Sequence, residues 1–204
     1  GALLALVAAS SLVGCGSDND SNVQAKDKTI ESSDCFWVGP YVREKPETNF
    51  AYPDTGAAYW HAGYSLPEGA SLKLMGEFPH ARYMSLNSYR SDASPAYAMS
   101  DQKIIPEQGS INPFVQGAVR DSEFRDYQIS VVQGDASQDV PDNTLYDSVQ
   151  AGEKSVLLYR VYVSNDGLDL KGDVELPKVE LTLGSGEIVT GQNACDAMEV
   201  DTEE

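Results

Sequence analysis

From residue 57 onward the chain repeats one pattern: short runs of alternating apolar and polar side chains, punctuated by Gly, Pro and acidic turns. Residues 57–66 (AAYWHAGYSL) place Trp60, Ala62, Tyr64 and Leu66 on one side of an extended backbone, with Tyr59 and His61 on the other. After the turn 67–70, residues 71–78 set Leu72, Leu74, Gly76 and Phe78 against Lys73, Met75 and Glu77. Residues 81–89 alternate again, Arg82, Met84 and Leu86 opposing Tyr83, Ser85 and Asn87. The runs 127–132 and 155–164 are rich in β-branched and aromatic residues, as strands require. The run 178–183 leads through Gly184-Ser185-Gly186 into 187–190, which predicts a closing hairpin. With short runs near Cys35, Asn49 and Lys103 this makes about nine or ten strands and no interleaved helix. The expected class is all-β, a sandwich or barrel rather than a parallel α/β sheet.

The longest stretch without a period is 100–125, where Pro106, Gly109, Pro113 and Gly117 forbid a long helix. It is expected to be one long ordered loop wrapping the sandwich, with Ile104, Ile105, Ile111 and Phe114 buried.

The N-terminal pattern is different. Residues 2–13 (ALLALVAASSLV) are apolar or small throughout, and the first charge is Asp18. Spanning a bilayer takes about 20 residues, so this run fits the apolar region of an export signal better than a transmembrane helix. It has no initiator Met and no basic segment before it, so the chain is expected to begin inside the signal. Leu12-Val13-Gly14-Cys15 resembles the bacterial lipobox, the site of lipoprotein signal peptidase. The resemblance implies lipidation of Cys15 and removal of residues 1–14, several acyl chains giving a stable anchor. Residues 15–34 then read as a flexible polar tether. Gly16 stands where many Gram-negative lipoproteins carry an inner-membrane retention Asp, so the expected address is the cell envelope, at the outer membrane where the host has one. The domain is expected to span 35–195 and an acidic tail 196–204.

With Cys15 lipidated, Cys35 and Cys195 remain, at the two ends of the domain and in an oxidising compartment. A Cys35–Cys195 disulfide is the favoured reading, worth up to roughly 5 kcal/mol on the chain-entropy model. Two free thiols, or a metal site with His61 and His80, are the alternatives.

Residues 78–89 (FPHARYMSLNSY), 143–146 (NTLY), 157–163 (LLYRVYV) and the segment 172–179 ending in Leu176-Pro177-Lys178-Val179 are similar, in order and spacing, to the β-rich C-terminal module of certain bacterial exported proteins of unknown function. The resemblance implies a single antiparallel β-sandwich, jelly-roll-like, and no catalytic residues. Arg90 replaces the Asp usual after the tyrosine of the first motif.

Composition narrows the partners. The chain has 204 residues and 14 Lys+Arg against 32 Asp+Glu, a formal charge of −18. Such a surface repels nucleic acid and anionic lipid. No Gly-x-Ser-x-Gly elbow occurs and there are only two histidines, so no catalytic set is predicted. A polar binding face is expected from Tyr59, His61, Tyr83, Ser85 and Tyr89 with Arg160 and Tyr162, since Tyr and Arg together stack on sugars or hold a carboxylate. Asn165, Asp166, Asp169 and Asp173 offer oxygen ligands that would suit calcium; otherwise no cofactor is expected. The functional expectation is a membrane-anchored envelope lipoprotein binding a protein or small ligand without catalysis. A hydrolase using His61 or His80, and a structural or assembly role, are the alternatives.

Overall fold

The structure, a computed structural model, describes residues 1, 34–43, 54–136, 138–147, 149–166 and 168–201. The signal segment beyond residue 1, Cys15, the tether up to residue 33, the expected strand near Asn49 and residues 202–204 lie outside the described residues.

In chain order the strands are β1 (Val38–Val42), β2 (Ala57–Ser65), β3 (Ser71–Glu77), β4 (Ala81–Arg90), β5 (Pro95–Ser100), β6 (Asp126–Val132), β7 (Thr144–Tyr146), β8 (Lys154–Ser164), β9 (Lys178–Thr182) and β10 (Ile188–Thr190), followed by helix α1 (Gly191–Ala197). They form two five-stranded sheets, ordered β1-β2-β8-β4-β5 and β10-β9-β3-β6-β7. The late strands β8 and β9 return to the early ones, β8 between β2 and β4 and β9 beside β3. Every pair is antiparallel except β6–β7, which is parallel. The protein is an all-β sandwich, as the alternation predicts.

The inward side of each strand builds one core. Trp60, Ala62 and Tyr64 from β2, Met84 and Leu86 from β4, and Leu157, Tyr159 and Val161 from β8 meet Leu72, Leu74, Tyr127, Ile129, Val131, Val179 and Leu181 from the second sheet. Burying each such side chain stabilises by about 1.5–3 kcal/mol. The sheets are tied at both sides. The Ser88 hydroxyl donates to the Tyr146 carbonyl, bringing β4 and β5 against β7. Opposite, the Trp37 indole N–H donates to the Pro177 carbonyl at 2.7 Å.

Cys35 and Cys195 form the disulfide, closing a sequence separation of 160. It joins the segment leading into β1, in the first sheet, to α1, which lies against β9 and β10 of the second. Beyond α1 the Ser65 amide donates to the Met198 carbonyl and the Asp201 amide to the Gly63 carbonyl. The start of the expected acidic tail is therefore docked along β2, with Met198 wholly buried.

Residues 101–125 are an ordered loop, as expected, but its details differ. The region of Lys103 is a 3-10 turn (Asp101–Lys103), not a strand. Ile104 and Phe114 are buried, whereas Ile105 and Ile111 are 47% and 36% exposed. The burial goes instead to polar clips. The Asn112 amide donates to the Asp101 and Ile104 carbonyls, both at 2.7 Å. Buried Arg125 donates to the carbonyls of Phe78, Arg120 and Ser122.

Candidate functional site

Because β8 pairs with β2 on one side and β4 on the other, register rows run across the first sheet. They are Ala57–Tyr162–Tyr83, Tyr59–Arg160–Ser85, His61–Leu158–Asn87 and Gly63–Val156–Tyr89. Side chains of one row share a face. All seven residues expected to form a binding face, Tyr59, His61, Tyr83, Ser85, Tyr89, Arg160 and Tyr162, thus stand together on the side away from the core.

The edge strand adds an eighth. Val38 pairs with His61 and Tyr41 with Tyr59, so three steps along β1 match two along β2. The extra residue is a β-bulge, and it turns Tyr41 onto the same outer face as Val38. Gly39 makes the bulge possible. Its φ is +140°, and a Cβ there would lie 2.7 Å from the Tyr59 carbonyl oxygen and 3.0 Å from Trp60 Cδ1.

On this face the aromatic rings interlock. Tyr59 and Tyr162 join hydroxyl to hydroxyl at 2.8 Å, and the Tyr83 ring meets Tyr162 edge-on at 5.5 Å. Burial, then the neighbouring Tyr59 hydroxyl, raises the Tyr162 pKa, so that phenol stays protonated. Tyr41 and His61 lie ring to ring at 5.2 Å. Burial lowers the His61 pKa, with Asp201 partly opposing it, and the imidazole is neutral at pH 7. His61 Nδ1 is buried without a hydrogen-bond partner.

Arg160 is the cation at the centre. Its guanidinium lies 5.2 Å from the centre of the Tyr59 ring, and Nη2 donates to the Tyr89 hydroxyl at 2.7 Å. Nε is buried with no acceptor. Among the described residues Arg160 has no carboxylate partner, as is true also of Arg43, Arg82, Arg120 and Arg125.

On the same face lies a groove of 340 Å³ whose lining includes Tyr41, His61, Tyr89, Arg90, Val156 and Leu158 but not Arg160. His61 and Tyr89 belong to the predicted set. Tyr41 escapes a period-two reading because the bulge inverts its parity. Val156 and Leu158 escape it because outward apolar residues look like core in sequence. Apolar walls with a few placed polar groups are the usual make-up of a small-molecule site.

The other expected sites are organised differently. The Asp169 carboxylate accepts the amides of Lys171 and Asp173 at 2.9 and 3.0 Å, which fixes a turn. Asn165 opens the same region through its amide to the His80 carbonyl. Among the described residues no three His, Cys, Asp or Glu side chains converge on a metal-sized site. His80 sits at the turn into β4, its amide on the Gly172 carbonyl. Burial, then Arg125, lowers its pKa. Among the described residues no hydrogen bond joins either imidazole to a hydroxyl or a carboxylate, and no helix is long and apolar enough to cross a membrane.

No family model matches this chain, and no curated protein matches it either. Among solved structures, the VPA0106 protein from Vibrio parahaemolyticus is similar at 14% identity and a TM-score of 0.39. The match covers 61% of this chain and 30% of that one.

Proposed function

We propose that this protein is a lipid-anchored bacterial envelope lipoprotein whose sandwich binds a ligand, without catalysis, on the outer face of its first sheet. The observation that carries the binding reading is the composition of that face. The free side of an antiparallel sheet is ordinarily polar, yet here it carries Tyr41, Tyr59, Tyr83, Tyr162 and Leu158 together with Arg160, which has no carboxylate partner among the described residues. The anchor rests on Leu12-Val13-Gly14-Cys15 and the apolar run before it.

Two measurements test this. Growth with an alkyne fatty acid should label the wild-type chain and not the Cys15→Ala variant; label surviving that change removes the anchor. In the intact envelope, a photocrosslinking residue at position 83 or 162 should capture a partner or be blocked by bound ligand. The same residue at position 130, on the exposed side of β6, should do neither. Equal behaviour at both faces overturns the binding face.

A further inference from the structure

A second cleft lies at the end of the first sheet and owes nothing to the reading of the outer face. It encloses 570 Å³ and is lined by Arg82 at the start of β4, Val163 and Ser164 at the end of β8, Asn165 and Asp166 just beyond, and Arg120 from the long loop. The pairs Ala81–Ser164 and Tyr83–Tyr162 set Arg82 opposite Val163. Arg120 is pinned beside them: Nη2 donates to the Ala81 carbonyl at 2.9 Å, and the guanidinium lies 5.8 Å from the centre of the Phe114 ring. Val163, exposed between these elements, holds φ +50°, a costly conformation for a β-branched residue and one that concentrates at binding sites.

What the guanidiniums hold separates this pair from the other arginines. Arg125 spends its group on three carbonyls, Arg160 donates to Tyr89, Arg43 to Thr55 and Arg90 to Asp135. Among the described residues Arg82 has no hydrogen-bond or ion-pair partner, and the Arg120 guanidinium donates only to the Ala81 carbonyl. Two like charges lining one cleft repel, and an anion seated between them removes that cost. Asp101, on the same side, already accepts the Met84 and Gln102 amides. Forks from two elements suit a tetrahedral oxyanion with three free oxygens better than a planar carboxylate, which one guanidinium satisfies. Asp166, also in the lining, repels a bare phosphate but accepts a hydroxyl, and Ser164 and Asn165 add neutral partners. None of the lining residues is aromatic, so a nucleotide base would find no stacking surface.

We propose that this cleft binds a soluble sugar phosphate, its phosphate on Arg82 and Arg120 and a sugar hydroxyl on Asp166. Its volume falls in the usual range of small-molecule sites, and a chain of charge −18 is repelled by a phosphate-bearing bilayer.

The test is calorimetric titration of the full chain with glucose 6-phosphate, beside glucose, glucuronate and inorganic phosphate. Glucose 6-phosphate should bind, and each of the others should bind about tenfold or more weakly. Arg82→Gln removes no contact of the fold, so it should keep the melting transition while weakening glucose 6-phosphate by about tenfold or more; Arg82→Lys should weaken it less. Unchanged affinity in Arg82→Gln, or failure of both phosphate probes on the wild type, overturns the site. Glucuronate binding as well as glucose 6-phosphate overturns the choice of phosphate. Asp166→Asn should tighten inorganic phosphate and not glucose 6-phosphate; equal tightening of both overturns the hydroxyl contact. Phosphatidylcholine vesicles carrying phosphatidylinositol 4-phosphate should not sediment the protein. If they sediment the wild type and not Arg82→Gln, the phosphate belongs to a lipid headgroup and the soluble ligand is overturned.

Discussion

Val38 and Tyr41 are three residues apart, yet both face outward, one opposite His61 and the other opposite Tyr59. An uninterrupted strand would send Tyr41 into the core side, because facing alternates residue by residue. The bulge at Gly39 and Pro40 resolves this, and it depends on a residue with no Cβ at φ +140°. Gly39→Ala is therefore expected to cost about 1–3 kcal/mol through backbone strain, with an added clash against the Tyr59 carbonyl. Its particular signature is local. Amide and aromatic NMR shifts of Tyr41, Tyr59 and His61 should move while those of β3 and β9 stay fixed. A variant as stable as wild type would remove the steric account of the bulge.

The disulfide links the segment leading into β1, paired with β2, to α1, which lies on β9 and β10. Breaking it with Cys35→Ala and Cys195→Ala together is expected to cost about 2–5 kcal/mol, chiefly by enlarging the unfolded ensemble. Chemical denaturation of the double variant measures that loss. Hydrogen exchange should locate it, with protection falling first in 36–42 and in α1 while β8 and β4 keep theirs. Uniform loss across both sheets would mean the bridge acts only on global unfolding.

Asp147 should govern part of the acid response. Its side chain is fully buried just after β7, Oδ1 takes the Val149 amide at 3.2 Å, and Oδ2 has no partner. Burial raises its pKa from 3.8 to about 6. A carboxyl that holds its proton more tightly when folded contributes stability below the unfolded value. That contribution is lost as pH climbs through the folded one. The window is thus pH 3.8 to 6. Asp147→Asn, neutral throughout and able to accept the same amide, should be more stable than wild type at pH 7 by up to about 3 kcal/mol. The difference should shrink toward zero near pH 3.5. A gap that stays constant with pH would assign the effect to packing rather than charge.

The elements visible in sequence are those long enough to show a period. β2, β4 and β8 run 9, 10 and 11 residues, and their alternation is plain. β7, three residues long, is too short to carry a period and pairs in parallel with β6. β5 opens on a proline, and its pairing with β4 slips near Tyr89. Helix α1 has seven residues and begins with glycine, so no local propensity announces it. It is held by tertiary contacts, with Ala194, Cys195 and Met198 buried around the disulfide. The same division applies to the binding face. Alternation within a strand shows that Tyr59 sides with His61, and Arg160 with Tyr162. That β8 lies between β2 and β4, which joins these sets, is decided by non-local pairing that no single run of residues encodes.

Arg125 is the last polar anchor whose removal is informative. It is 1% exposed, and its guanidinium reaches the carbonyls of Phe78 at 2.8 Å, Arg120 at 2.7 Å and Ser122 at 2.9 Å. These three bonds splay from one planar group, a geometry only arginine offers. Arg125→Lys keeps the charge but cannot span the three acceptors, so it should cost about 2–4 kcal/mol by leaving carbonyls unsatisfied. The damage should concentrate in the 101–125 loop, where the amides of Ile104, Phe114 and Ala118 should exchange faster. The outer face of the first sheet rests on β2, β4 and β8 pairing and on no contact with Arg125, so NMR shifts at Arg160 and Tyr59 should hold. If those shifts move with the loop, the loop and the binding face are coupled, and their independence is refuted.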